Sequence, residues 1–377
     1  MAGEGPEHRV GIALVQGMAT GLRAGVWVAG YRVERQIGAG GMGAVYLARD
    51  ERLGRLVALK VMSPAMADDE TFRLRFIRES RAAAAVDDPH IIPVYEAGAA
   101  DGVLFIAIRF VSGGDVRSLV RREGPLSAAW VMPVISAVAS ALDAAHATGL
   151  VHRDVKPANM LLDSRPSRAD HVYLSDFGLS KDMQSGGLTG TGEFMGTPSY
   201  TAPEQITGQH VDGRADQYAL ACSAFEMLSG DVPFAARKGW AEVYAHLNAP
   251  APTLTDCRPD LHPAVNQVFA RAMAKEPRDR YESCRQFSDA LNDALRSLSY
   301  HIVPTTPRTG MPVSRATPVT MSGEGRPPIP PTRSGREPRT RPLRWWRYAL
   351  VTLVVLAVLI VLVMVIGSTL AASTPRT

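Results

Sequence analysis

The sequence predicts an α+β body of two lobes, a small β-rich one and then a larger helical one, followed by a polar linker and a single membrane-spanning helix. Three observations carry this reading. Strand-like runs crowd residues 31–111, apolar residues recur at three- and four-residue intervals from 127 onward, and one long aliphatic stretch stands near the end of the sequence. The 377 residues are 46% hydrophobic and 21% charged. That is enough apolar side chain for one large or two ordinary domains and too much for a disordered chain.

Charge and cysteine usage narrow the function classes. The net charge is +4, yet residues 301–377 alone hold ten Arg against two Glu. The part before them is therefore net acidic, which argues against a nucleic-acid-binding surface. Cys222, Cys257 and Cys284 are odd in number and lack paired spacing, so neither a disulfide framework nor a zinc cluster is expected. The body reads as reduced and cytosolic.

In chain order, residues 1–25 form a Gly- and Ala-rich extension whose apolar run at 10–15 is too short for a signal peptide. Met18 stands close before the first recognisable pattern, which leaves residues 1–17 dispensable. The body spans 26–300. Its small lobe has strand-like runs at 31–37, 45–49 and 56–62, a helical stretch at 71–86, and further runs at 92–97 and 103–111. The large lobe opens with a helix over 127–148. A cleft between a sheet lobe and a helical lobe is a common place to hold a ligand.

Residues for chemistry follow the same order. Gly38, Gly40 and Gly43 lie in Gly38-Ala39-Gly40-Gly41-Met42-Gly43-Ala44-Val45, between two strand-like runs and not before a helix. That placement excludes a dinucleotide fingerprint and suits a flap whose backbone N–H groups lie over phosphates; an ordinary Gly-rich turn is the alternative. Lys60 sits on an apolar strand in a chain with five Lys and 36 Arg. A Lys retained against that bias is chosen for its compact point charge. Glu79, on the next helix, is its natural partner. Further on come His152-Arg153-Asp154-Val155-Lys156-Pro157-Ala158-Asn159, then Ser175-Asp176-Phe177-Gly178, Gly196-Thr197-Pro198, Ala202-Pro203-Glu204 and Asp216.

These motifs, in this order and spacing, resemble the eukaryotic-type protein kinases, specifically the membrane-anchored bacterial (Hanks-type) serine/threonine protein kinases. The resemblance covers roughly residues 30–298 and implies the bilobal protein kinase fold. It implies that Gly38, Gly40 and Gly43 cover ATP, with Ile37, Val45 and Ala58 completing the nucleotide site. Lys60 would hold the α- and β-phosphates and Glu79 would orient it. Asp154 would take the proton of a substrate hydroxyl, and Lys156 would neutralise the phosphoryl group. Asn159 and Asp176 would hold Mg²⁺, with Mn²⁺ as a possible substitute, since hard cations favour oxygen ligands. Lys156 in this loop also implies Ser/Thr substrates. Thr189 and Thr191 match the autophosphorylated threonines of the bacterial relatives, and Arg153 implies regulation by that phosphate. Glu204 is expected to pair with Arg280, Asp216 to cap the catalytic loop, and His152 to be a packed loop residue. Two positions depart from the family pattern: Arg109 stands where an acidic hinge residue is common, and Ala221 where Gly is usual. A pseudokinase acting as a nucleotide-binding scaffold is the alternative, opposed by the presence of Lys60, Glu79, Asp154, Asn159 and Asp176.

Beyond the body, residues 301–347 hold ten Pro, nine Arg and no Lys, the composition of a disordered juxtamembrane linker. Residues 349–367 carry no charge and at about 1.5 Å each reach roughly 28 Å, close to the hydrocarbon thickness of a bilayer. Trp345, Trp346 and Tyr348 suit its interface, and Arg336, Arg339, Arg341, Arg344 and Arg347 place the near side in the cytoplasm, where they would also meet anionic lipid. The expected layout is a single-pass span at 348–367 with a tail at 368–377 too short for a folded external sensor. Activation would then come by homodimerisation or from an internal signal, with protein substrates, ATP and membrane lipid as partners and no nucleic acid.

Overall fold

The computed structural model describes residues 21–100, 102–165, 168–177 and 198–296, and gives no side-chain account of 164–170. The expected linker, membrane span and tail lie outside the described residues, as do Thr189, Thr191, Gly178, Gly196 and Thr197. The chain divides into units 1–306 and 307–377; all that follows concerns the first.

Period-two alternation builds the small lobe. Its strands are β1 (Trp27–Val28), β2 (Tyr31–Gly40), β3 (Gly43–Asp50), β4 (Arg55–Met62), β5 (Val94–Ala100) and β6 (Val103–Arg109). They form one antiparallel sheet in the order β1-β2-β3-β4-β6-β5. On β4, Val57, Leu59 and Val61 turn to one face and pack with Val33, Tyr46 and Phe105, none more than 2% exposed. Ala58, Lys60 and Met62 turn to the other. There Met62 joins Phe76, Leu104 and Ile106 beneath the helix α2 (Glu70–Ala84), which follows the single turn α1 (Pro64–Ala67). Asp69 starts α2 by accepting a hydrogen bond from Phe72 N at 3.0 Å.

The strand expected over 92–97 is split. Pro93 has no N–H to donate, so β5 begins at Val94 while Ile92 N donates to Leu174 O at 3.0 Å, tying the small lobe to the large one. Gly113 N and Leu162 O make a second tie at 3.0 Å.

The large lobe comprises α3 (Val116–Glu123), α4 (Ala128–Ala147), a hairpin β7 (Met160–Arg165) and β8 (Arg168–Leu174), then α5 (Pro203–Ile206), α6 (Gly213–Ser229), α7 (Trp240–Asn248), α8 (Leu254–Cys257), α9 (Ala264–Ala272) and α10 (Cys284–Arg296). Asp115 and Ser127 cap α3 and α4 through Ser118 N and Trp130 N. The hub is α6, buried at every position from Ala215 to Leu228. A helix surrounded in this way has no polar stripe, so its polar residues are committed inside the lobe. Asp143 caps α10 by accepting from Cys284 N at 2.9 Å and Arg285 N at 3.0 Å. His146, Asp143 and Cys284 bring potential ligand atoms within 4.8 Å of one another, but that carboxylate is already engaged in the cap.

Among the described residues, α4 alone is long and apolar enough to cross a membrane. Val131, Ile135, Val138 and Leu142, all buried inside the lobe, mark it as a core helix.

Candidate active site

The small lobe presents an apolar floor with one cation. Cross-strand register aligns Gly38, Val45, Lys60 and Ile106 in one row and Leu47, Ala58 and Ile108 in the next. Directly opposed residues share a face, so Lys60 projects beside Val45, Ala58, Leu47 and Ile106. Ile37 at the rim is 37% exposed. The glycines of the flap have different causes. A Cβ on Gly43, at φ +146°, would stand 2.0 Å from Val61 O, so the close crossing of β3 over β4 excludes any side chain. Around Gly40 and Gly41 a Cβ would meet nothing within 4 Å. Nothing in the fold requires glycine there, which fits a flap that admits a ligand's phosphates close to its backbone.

The large lobe presents the carboxylates. Arg153 and Asp176 both adopt left-handed backbone, φ 68° and 65°, a conformation costly for non-glycine residues that marks an over-determined loop. The surroundings hold it. Asp216, fully buried, accepts from His152 N at 2.8 Å and Arg153 N at 2.7 Å, and Gln205 Nε2 donates to Arg153 O at 3.0 Å. His152, fully buried, donates from Nε2 to Ser175 O and accepts at Nδ1 from Asp154 N, which requires the neutral Nε2–H tautomer. Ser175 N in turn donates to Asn159 O at 2.9 Å. Asp154, Asn159 and Asp176 are thus locked together by backbone.

Lys156 Nζ bridges both oxygens of Asp154 at 2.9 and 2.8 Å. Asn159 Nδ2 donates to Asp154 O at 2.7 Å and Oδ2 at 3.2 Å, which orients its carbonyl oxygen elsewhere. Lys60 Nζ meets Asp176 Oδ1 at 2.7 Å, leaving Oδ2 on a side chain 32% exposed to the cleft. Burial pushes the Asp176 carboxyl upward, and Lys60, with Lys156 beyond it, more than reverses this and holds it below the usual carboxylate range. The oxygens of Asn159 and Asp176 are hard donors that fit Mg²⁺, and Lys60 and Lys156 suit the charge of phosphates.

The expected Lys60–Glu79 contact is not how the structure is arranged: Asp176 takes Lys60. Glu79 is 8% exposed, with Arg78 Nη2 at 3.9 Å. Burial raises its pKa, against the fields of Arg75, Arg78 and Arg153. Those three cations surround Glu79 on its own side, so Lys60 is not its only available counter-charge. Arg153 is lowered by burial, against Glu79 and Asp216, and its Nε has no hydrogen-bond partner among the described residues.

Glu204 and Arg280 form the expected pair, bidentate at 2.7 Å and buried. His146 and Gln205 support the loop without having stood out in the sequence. His146 Nε2 lies 2.7 Å from Asp216 Oδ2; a helix-end histidine carries no local signal for a partner seventy residues away. Arg109 reaches Asp163 at 3.4 Å and lies over the Tyr173 ring at 5.3 Å, joining β6 to the hairpin of the other lobe.

A family model described as protein kinase domain matches residues 31–293. The chain is 43% identical to serine/threonine-protein kinase PknJ of Mycobacterium tuberculosis over 333 residues, covering 83% of this chain and 56% of that one. It is 44% identical to PknF of the same organism over 304 residues, covering 80% and 63%. It therefore spans under two thirds of these relatives' length. The crystal structure of the M. tuberculosis PknI kinase domain superposes with a TM-score of 0.60 at 41% identity, covering 72% of this chain and 99% of that one.

Proposed function

Because the chain belongs to the protein kinase family, we propose that it is an active serine/threonine kinase that transfers the γ-phosphoryl group of ATP to protein hydroxyls. The observation that carries this is the convergence of Lys60, Asp154, Lys156, Asn159 and Asp176 on one cleft, linked by the Ser175–Asn159 backbone bond and by the His152 side chain on Ser175 O. ATP supplies the phosphoryl group and Mg²⁺ the charge neutralisation when bound. The reaction's loose transition state spreads negative charge over the phosphoryl oxygens, so positioned cations matter more than a strong nucleophile.

In this reading the Asp154 carboxylate would orient the substrate hydroxyl and take its proton as that oxygen bonds to the γ-phosphorus and the bond to the bridging oxygen, which leaves with ADP, breaks. Lys156, already bound to Asp154, neutralises the transferred group. Asn159 and Asp176 offer oxygens to Mg²⁺ (or Mn²⁺), and Lys60 moves from Asp176 to the phosphates as Glu79 turns towards it. Ile37, Gly38, Gly40, Gly43, Val45 and Ala58 enclose the nucleotide. The half-buried Arg153 guanidinium, whose Nε has no hydrogen-bond partner among the described residues, is suited to a phosphate placed on Thr189 or Thr191 by self-phosphorylation. The uncharged stretch at 348–367, with arginines before it, supports a single-pass anchor holding the kinase domain (26–300) in the cytoplasm.

The test is phosphate incorporation from labelled ATP with Mg²⁺ or Mn²⁺, with sites mapped, beside Lys60→Met and Asp154→Asn. Incorporation at Thr189 or Thr191 that both substitutions abolish supports the reading. A folded, nucleotide-binding protein that transfers nothing would sink it.

A further inference from the structure

The peptide unit that leads into Asp154 is gripped from outside its own loop. Asp216 on α6 takes the two N–H groups before it, those of His152 and Arg153. The unit itself runs from Arg153 C=O to Asp154 N–H. Its nitrogen donates to His152 Nδ1 at 3.2 Å, a long bond within the loop. Its oxygen accepts from Gln205 Nε2 at 3.0 Å, and among the described residues no other donor reaches it. Arg153 stands in left-handed backbone at φ 68°, which persists only where the surroundings fix it. Gln205 is therefore the tie between this peptide and the rest of the lobe.

Gln205 reaches the loop from a firm mount. It is the third residue of α5, next to Glu204, whose buried bidentate pair with Arg280 fixes the helix in the lobe. The other end of its amide closes the start of that helix: Oε1 accepts from Ala202 N at 3.0 Å. This is the half of a capping box in which the third helical residue reaches back to the N-cap N–H. The orientation of the amide is forced, because Ala202 N–H can only donate and Arg153 C=O can only accept. Cap and loop tie make different demands on the residue. Glu and Gln serve a capping box alike. Of the two, only Gln offers an acceptor to Ala202 and a donor to Arg153 at once.

We propose that Gln205 is a positioning residue for Asp154: by fixing the Arg153–Asp154 peptide to α5 it sets the direction of the Asp154 carboxylate towards the substrate hydroxyl. This rests on the kinase reading above. Lys156 and Asn159 also hold the Asp154 side chain, but both belong to the same loop and move with it. Freed from Gln205, the Arg153–Asp154 peptide can rotate and carry the carboxylate off line. A displacement of about 1 Å at a reacting group costs up to about a hundredfold in rate. Nucleotide binding is spared, because Lys60 and the glycine flap belong to the small-lobe sheet, and Asn159 and Asp176 keep their own link through Ser175.

Two substitutions in the full chain, purified in detergent, separate the loop tie from the cap. Gln205→Glu keeps the acceptor for Ala202 N and sets a second acceptor against Arg153 O. Gln205→Met removes both bonds at similar length. With myelin basic protein as phosphate acceptor, kcat should fall at least about fivefold in both, with KM for ATP within about twofold of wild type. The melting temperature should fall further in Gln205→Met, by a few degrees, because that variant also loses the cap. A kcat that follows the melting temperature, with Gln205→Glu close to wild type, would overturn the proposal and leave Gln205 a helix cap alone. A KM for ATP that rises as steeply as kcat falls would overturn it too, since that means a loosened cleft. A second readout needs no activity. Amide exchange at Asp154 should quicken at least about fivefold in Gln205→Glu, with α6 unchanged. An inactive wild type would sink the kinase reading, and exchange would still decide this one, because unchanged protection of Asp154 rejects the tie.

Discussion

Substituting Glu204 by Ala should remove a large share of this domain's stability, although the residue touches no reacting atom. The Arg280 side chain is fully buried, and its five N–H donors meet five acceptors: Ala274 O from Nε, Glu204 Oε1 and Arg214 O from Nη1, and Glu204 Oε2 and Lys275 O from Nη2. Deleting the carboxylate leaves a guanidinium charge in the interior with two donors unmet. Breaking a buried pair from one side costs about 3–5 kcal/mol, against a total of about 5–15 kcal/mol for a typical domain. Glu204→Gln, which retains one acceptor oxygen and no charge, should cost less than Ala but more than 1 kcal/mol. The double variant Glu204→Leu with Arg280→Met removes both charges yet strands three carbonyls. It should therefore fall between wild type and the single Glu204→Ala change. Urea unfolding followed by near-ultraviolet circular dichroism gives the three free energies. A loss below about 1 kcal/mol for Glu204→Ala would refute the reasoning, because it would mean the guanidinium reaches water or another carboxylate without cost.

Gly43→Ala should destabilise the flap by about 1–3 kcal/mol, since its Cβ would fall on Val61 O. Gly40→Ala should instead leave the melting temperature within a degree or two and raise KM for ATP; melting curves and steady-state kinetics separate the two. His246 is held neutral by burial, with Lys275 adding to the effect, and its pKa falls to about 3. The unfolded chain takes up that proton near pH 6.5, so stability should fall as pH drops from 6.5 towards 3, by up to about 1.4 kcal/mol per unit. His246→Phe should flatten that part of the stability–pH curve, and an unchanged slope would count against the buried neutral imidazole. Arg109→Glu should set a carboxylate against Asp163 and weaken nucleotide binding, measured as a higher Kd for ATP, whereas Arg109→Lys should keep most of it.

The chemistry-bearing residues were legible in the sequence because they lie in short, contiguous motifs. His152 to Asn159 and Ser175 to Phe177 each span only a few residues, and loops that must hold fixed groups are spelled locally. The same holds for β4, where Lys60 stood out as a Lys on an apolar strand of a chain that otherwise uses Arg. Pro93 shows the limit: the run at 92–97 looked like one strand, and only the competing partner, β8, shows that Ile92 belongs to the tie between lobes. The β7–β8 hairpin was likewise not read, because its short strands are specified by tertiary pairing more than by their own pattern.

By itself, then, the sequence determined the lobe order and the motifs that hold the cleft residues, and the family resemblance those motifs carry implied the Glu204–Arg280 partnership. Which carboxylate Lys60 meets was decided by tertiary structure, because Glu79 and Asp176 lie 19 and 116 residues from it, and burial and the surrounding arginines set their competition. The addition of His146 to the expected Asp216 cap on the catalytic loop was decided there too. Such contacts join segments that are distant in the chain, and their strength depends on how completely the fold excludes water from them.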